Sequence, residues 1–217
     1  MKAQKLLTQR LRPGGWTLTQ HVLSMRPPRA GECWADLGCG TGETVRRLLR
    51  EYGVHAIGVD SDATAVQKAR QSGPDSAFLC ANAAYAPMPG AVLHGILMEC
   101  SLSQMPLVQT LNTCRRLLRP QGALLLTDVY ARGIPMCTGG LLGDLHTQEQ
   151  LVAALTQAGF VLQTFEDHSQ AVEELRLQMV WECGAEAVAQ AVGLPREAYR
   201  AVRCGYYVAW AQKEGCV

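Results

Sequence analysis

The chain has 217 residues, 48% of them apolar, and a formal net charge of +1. That length suits one α/β domain with a sizeable core, and the near-neutral balance gives no electrostatic footprint for nucleic acid and no basic run for an anionic membrane. The start, Met1-Lys2-Ala3-Gln4-Lys5, lacks an apolar leader core, and no stretch approaches about 18 uninterrupted apolar residues, so the expectation is a cytoplasmic protein that binds neither nucleic acid nor membrane. Nine cysteines, an odd number without a Cys-x-x-Cys pair, argue against a disulfide framework, a zinc ribbon or a redox motif. Most of them read as buried small hydrophobes.

Residues 4–11 and 17–25 carry helical patterns, separated by Arg12-Pro13-Gly14-Gly15. Pro27-Pro28 stops the second, because proline lacks an N–H donor and restricts the residue before it. A strand over about 32–37 runs into Ala35-Asp36-Leu37-Gly38-Cys39-Gly40-Thr41-Gly42, and residues 43–52 read as a helix. Alternate glycines let the backbone turn sharply and come close to a ligand. The strand–loop–helix order aims free N–H groups of the helix at that ligand. A dinucleotide fingerprint, Gly-x-Gly-x-x-Gly counted from Gly38, would put its third glycine where Glu43 stands, so NAD and FAD are disfavoured.

A second strand, 55–59, delivers Asp60, an acid placed to accept hydrogen bonds from both hydroxyls of a ribose. Asp62 reads as the N-cap of a helix through 71, with Ala65, Val66 and Ala69 inward and Gly73-Pro74 at its end. A third strand, 76–81, leads to Asn82-Ala83, and a fourth, 92–98, leads to Glu99-Cys100-Ser101. The spacing predicts a helix over 106–118 with Val108, Leu111 and Leu118 inward, then a turn at Arg119-Pro120-Gln121-Gly122. The nearly unbroken apolar run 123–128 is what a parallel strand covered on both faces requires.

Thr147-x-x-Gln150 is a capping box opening a helix that Gly159 closes, followed by a strand over 160–166. Residues 170–202 are helical in two or three pieces, broken at Gly184 and at Gly193-Leu194-Pro195, and 206–211 is a last strand. Strands alternate with helices through the first five units, which means a doubly wound parallel sheet in an α/β domain. Residues 1–217 form one domain, with an N-terminal helical segment (1–30) and a helical insertion (170–203) before the last strand.

Asp36-x-Gly38-x-Gly40-x-Gly42, with Asp60 closing the next strand, resembles the class I S-adenosylmethionine-dependent methyltransferases. The resemblance implies a seven-stranded, mostly parallel sheet with helices on both faces and the last strand antiparallel. It implies S-adenosylmethionine as cofactor and S-adenosylhomocysteine as product. Carried onto this chain, the cofactor-binding residues are Asp36, Gly38, Cys39, Gly40, Gly42, Asp60, Ser61, Asn82, Ala83 and Glu99. The family often has an acid where Asn82 stands; an Asn carbonyl accepts the same bond. Arg12 is a candidate to grip the cofactor carboxylate, or an ordinary surface arginine.

Methyl transfer from a sulfonium needs alignment above all, and a general base only if the acceptor holds its proton. Asp128 and His168 are the catalytic candidates for that role, with Glu99, Asp167 and His146 beside them. Glu99-Cys100-Ser101-Leu102 and the segment around Cys137 are also similar to cysteine settings of arsenite methyltransferases, which makes Cys100 and Cys137 candidate ligands of a thiophilic substrate. The expected partner is a small-molecule substrate, with a homodimer allowed. Three alternatives stay open: a small-molecule methyltransferase, a metalloid methyltransferase, and a non-catalytic cofactor-binding accessory protein. The 130–146 loop and the 170–203 helices are expected to form a lid. Tyr130, Tyr206 and Tyr207 are candidates to line a pocket, and Trp181 is expected to pack.

Overall fold

The structure, a computed structural model, describes residues 12–73 and 77–215. The helix expected over 4–11, Pro74 and Ser76 lie outside the described residues. In chain order the elements are α1 (Gly15–Met25), β1 (Cys33–Leu37), α2 (Glu43–Tyr52), β2 (His55–Asp60), α3 (Ala63–Gln71), β3 (Ala77–Cys80), β4 (Leu93–Glu99), α4 (Leu107–Leu117) and β5 (Leu118–Ala131). A small hairpin of β6 (Met136–Cys137) and β7 (Asp144–Leu145) follows. Then come α5 (Gln148–Gln157), β8 (Phe160–Asp167), α6 (Ser169–Cys183), α7 (Ala185–Val192), α8 (Arg196–Val202) and β9 (Cys204–Lys213).

Seven strands join in the order β3-β2-β1-β4-β5-β9-β8. The first five are parallel, and β9 runs antiparallel to both β5 and β8. The closing strand therefore lies inside the sheet, wedged between β5 and β8. The apolar runs feed two cores, one on each face. Trp34, Leu97 and Leu125 meet Val22 of α1, Val45 and Leu48 of α2 and Val66 of α3. Ala35, Ile96, Leu124 and Leu126 meet Leu111 and Leu117 of α4 and Leu151 and Leu155 of α5. Consecutive strand residues point to opposite faces, so a run buried on both sides must be apolar throughout.

Local signals behave as their chemistry dictates. The Asp62 carboxylate accepts from the N–H groups of Thr64 and Ala65, and the capping box of Thr147 and Gln150 is formed in both directions. The turn expected at 119–122 is absorbed into β5 as an excursion: Leu93 pairs with Leu118, but Gly95 pairs with Ala123. Two packing expectations fail. Val108 is 61% exposed, because α4 buries the stripe Thr110, Leu111, Cys114 and Leu117 instead. Trp181 is 91% exposed; it stands two residues beyond the buried Met179, about 200° around the helix. Among the described residues no helix is long and apolar enough to cross a membrane.

Candidate functional site

The strand order reverses between β1 and β4, and open α/β sheets bind ligands beyond the strand ends at such a switch point. A cavity of about 290 Å³ opens there. Gly38, Asp60, Ser61, Asn82 and Ala83 wall one side, from the loops after β1, β2 and β3. Cys100 and Ser101 wall the other, with Gln104, Met105 and Pro106. The last three went unnoticed in the sequence, since nothing in a short polar–apolar turn marks it as a ligand wall.

The glycine loop does not present its amides as its spacing suggests. The N–H groups of Gly38 and Cys39 donate to the Val59 carbonyl, at 2.7 and 3.1 Å. The Gly40 N–H donates to Asp60 Oδ2 at 2.7 Å, and the other oxygen, Oδ1, accepts from the Asp62 N–H at 2.9 Å. The loop is thus stitched to β2, and its glycines serve close packing. Gly38 has φ +88°, and a Cβ there would lie 2.4 Å from the Ser101 Cβ; Gly42 has φ +76°, with a Cβ position 2.3 Å from Phe78. Cys39 turns its side chain into the core against Gly58, and burial pushes its thiol up.

Behind the loop sits a charged cluster. Arg12 Nη2 donates to both Glu99 oxygens, at 2.8 and 2.6 Å. It also donates to the hydroxyls of Thr19 (2.6 Å) and Thr44 (2.9 Å). Both hydroxyls donate to Glu99 in turn. Among the described residues the buried Arg12 Nε has no hydrogen-bond partner. Asp36, 3% exposed, is close enough to feel the cluster. Burial holds its proton well above the usual carboxylate range and Glu99 adds like-charge repulsion, against the pull of Arg12. Arg12 thus belongs to the cluster behind the loop, whereas Thr19 and Thr44 could not be told from any other threonines in the sequence.

Residues 35–122 match the family described as methyltransferase domain. The match covers less than half of the chain. Relatives of the chain include 27-O-demethylrifamycin SV methyltransferase of Amycolatopsis mediterranei (strain S699), 28% identical over 173 residues, which are 70% of this chain and 62% of that one. The chain therefore spans less than two thirds of that relative's length. Among solved structures, the [4+2]-cyclase SpnF superposes with a TM-score of 0.77 at 22% identity, covering 92% of this chain and 81% of that one. Geranyl diphosphate C-methyltransferase from Streptomyces coelicolor A3(2) gives 0.77 at 15% identity, over 91% and 80%. At these identities the structural likeness establishes the fold alone.

The other residues singled out in the sequence fall in different places. Asn82 borders the cavity, and its side-chain oxygen caps the turn after β3 by accepting from the Ala84 N–H at 2.9 Å. Asp128 is 2% exposed, and both its oxygens are engaged, by the Ser103 N–H (2.8 Å), the Ser103 hydroxyl (3.0 Å) and the Val129 N–H (2.7 Å). Burial raises its pKa to about 6 against those bonds. It anchors the turn that walls the cavity and does not itself line it. Cys100 faces the Tyr206 hydroxyl at 3.1 Å, its thiol pushed up by burial. Cys137 is exposed on the β6–β7 hairpin, its thiol raised by the Asp144 carboxylate, and it does not wall the cavity. The paired-thiol arrangement expected for a metalloid is therefore not assembled.

His168 is also elsewhere: it lies at the end of β8, against Glu166 and His21. Asp167 caps the start of α6 through the Ser169 N–H at 2.6 Å. Tyr206, Tyr207 and Tyr130 are buried in packing, Tyr207 stacked on Phe165. The hairpin leans on the cavity wall, where Gln104 Nε2 donates to the Leu141 carbonyl.

Proposed function

We propose that the chain is an S-adenosylmethionine-dependent methyltransferase acting on a small-molecule acceptor. The observation that carries this reading is the occupied glycine loop: its amides at 38, 39 and 40 already have partners in β2 and Asp60. A pyrophosphate would find no donors there. A nucleoside whose charge is a sulfonium needs none; it needs close approach, and an acid for its sugar. Asp60 takes the ribose hydroxyls, Asn82 and Ala83 border the base, and Arg12 with Glu99 receives the amino-acid end. Asp60 and Glu99 against a single Arg12 suit a ligand of net positive charge.

In the reaction the acceptor's lone pair bonds to the methyl carbon as the carbon–sulfur bond breaks, and sulfur keeps that electron pair in S-adenosylhomocysteine. Asp128 is engaged by protein donors and His168 is turned away, so neither is placed to take a proton from the acceptor, and the residues around the cavity align the reactants. Alignment of this kind is worth about 7–11 kcal/mol. The printed names of the relatives, a demethylrifamycin and a geranyl diphosphate methyltransferase, support a small organic acceptor.

Calorimetric titration with S-adenosylhomocysteine tests the binding site. Asp60→Ala should weaken binding by about 1–3 kcal/mol, roughly 5- to 150-fold, the scale of a charge-assisted hydrogen bond. Unchanged affinity would reject the ribose assignment. Because SpnF, of like fold, is named a cyclase, release of S-adenosylhomocysteine across an acceptor panel separates an enzyme that moves methyl groups from a protein that only binds the cofactor.

A further inference from the structure

Three side chains from distant parts of the chain meet outside the cavity. His21 projects from α1, Glu166 from the end of β8, and His168 from the turn into α6. Glu166 Oε2 receives both imidazoles, His21 Nε2 at 2.6 Å and His168 Nε2 at 3.0 Å. The rings meet edge to face with centroids 5.4 Å apart. One ligand atom from each of the three lies within 4.8 Å of the others. All three side chains are partly open to solvent, at 40%, 39% and 28%.

We propose that His21, Glu166 and His168 form a binding site for one divalent zinc-like ion. Two imidazole nitrogens and one carboxylate oxygen are a donor set that favours zinc, cobalt, nickel or copper over magnesium or calcium, which prefer all-oxygen surroundings. Bonds of about 2.0–2.1 Å at tetrahedral angles separate ligand atoms by about 3.3 Å. The observed nitrogen–oxygen distances of 2.6 and 3.0 Å need to open by about 0.7 and about 0.3 Å, and the two imidazole nitrogens, within 4.8 Å of each other, to settle at the same spacing, which part-exposed side chains can do. With the ion bound, each ring carries its proton on Nδ1, so that each Nε2 lone pair faces the ion. Water completes the coordination on the open side.

The site has a structural consequence. It ties α1 to the junction of β8 and α6, and α1 carries Thr19, whose hydroxyl donates to Glu99. An ion there pins the helix that closes the charged cluster. The inference rests on the three side chains alone and stands or falls apart from the cofactor assignment.

The test uses tag-free full-length chain, stripped with a chelator and titrated with cobalt(II) chloride, then with zinc chloride. The expected result is one ion per chain, visible d–d absorption without thiolate-to-cobalt charge transfer, displacement by zinc and indifference to excess magnesium. His21→Ala and His168→Ala should each weaken cobalt binding at least tenfold, while Cys80→Ser/Cys137→Ser leaves it unchanged. Glu166→Gln, which preserves size and hydrogen bonding, should weaken it likewise and serves if a histidine variant misfolds. Failure of the wild-type chain to bind, a dominant thiolate band, or wild-type affinity in His21→Ala/His168→Ala would each overturn the proposal.

Discussion

Gly38 has φ +88°, and a Cβ at that position would overlap the Ser101 side chain at 2.4 Å. Backbone strain and the clash act together, so Gly38→Ala should lower unfolding free energy by about 1–3 kcal/mol in urea denaturation. The alternation of glycines was enough to foresee a sharp turn, but not that Ser101, from the far side of the switch point, fills the space a side chain would need. Asp128 makes a second prediction. Its pKa in the fold is about 6, above the ordinary 3.8, because burial outweighs its bonds from Ser103 and Val129. The folded state therefore holds the proton more tightly. That contribution is complete below pH about 4 and is lost as pH rises through about 6. The stability of the wild type minus that of Asp128→Asn should fall by up to about 3 kcal/mol between those pH values. A pH-independent difference in urea midpoints would show that the carboxyl is not buried as described.

Between α1 and β1 one carboxylate joins two elements. Glu32 accepts from Arg26, from the Trp34 indole N–H at 3.0 Å and from the Arg29 N–H at 3.1 Å, while Arg26 lies over the Trp34 ring. Burial pushes its pKa up, the three donors outweigh burial, and the result is about 2. A depressed acid stabilises the fold above its unfolded value and loses that contribution as pH falls through the folded one. Glu32→Gln should therefore cost about 1–3 kcal/mol at neutral pH in chemical denaturation, with the gap closing between pH about 4.5 and 2. Caps such as Asp62 and Thr147 could be read directly, because a cap and the N–H that donates to it sit within three residues. The inward faces of α4 and α6 could not: Val108 and Trp181 are apolar, but only the element packed opposite decides which stripe is covered.

For the whole molecule, a ligand that binds only the native state raises its stability by mass action. At a concentration one hundred times its Kd, S-adenosylhomocysteine should add about 2.7 kcal/mol, or roughly 5–11 °C in Tm for a chain of this size. Asp60→Ala should shrink that shift at the same ligand concentration, and a Tm that does not move in the wild type would sink the cofactor assignment. The doubly wound parallel sheet and its two-sided core follow from apolar runs alternating with helical periods, whereas the antiparallel last strand was implied only by the family resemblance and the strand order appears only in the fold. The cavity wall that begins at Gln104 was not legible along the chain, since its place depends on how Asp128 holds the turn from β5.

Neighbouring residues in a row carried the fold class, the glycine turn and the acid at the end of the second strand, because period, spacing and capping act over a few positions. The pairings that give the site its character belong to the folded chain: Arg12 with Glu99 across 87 positions, and His21 with Glu166 across 145. Only the assembled sheet, with β9 slotted between β5 and β8, brings such residues within reach, and only packing decides that the loop amides turn to Val59 instead of to a ligand.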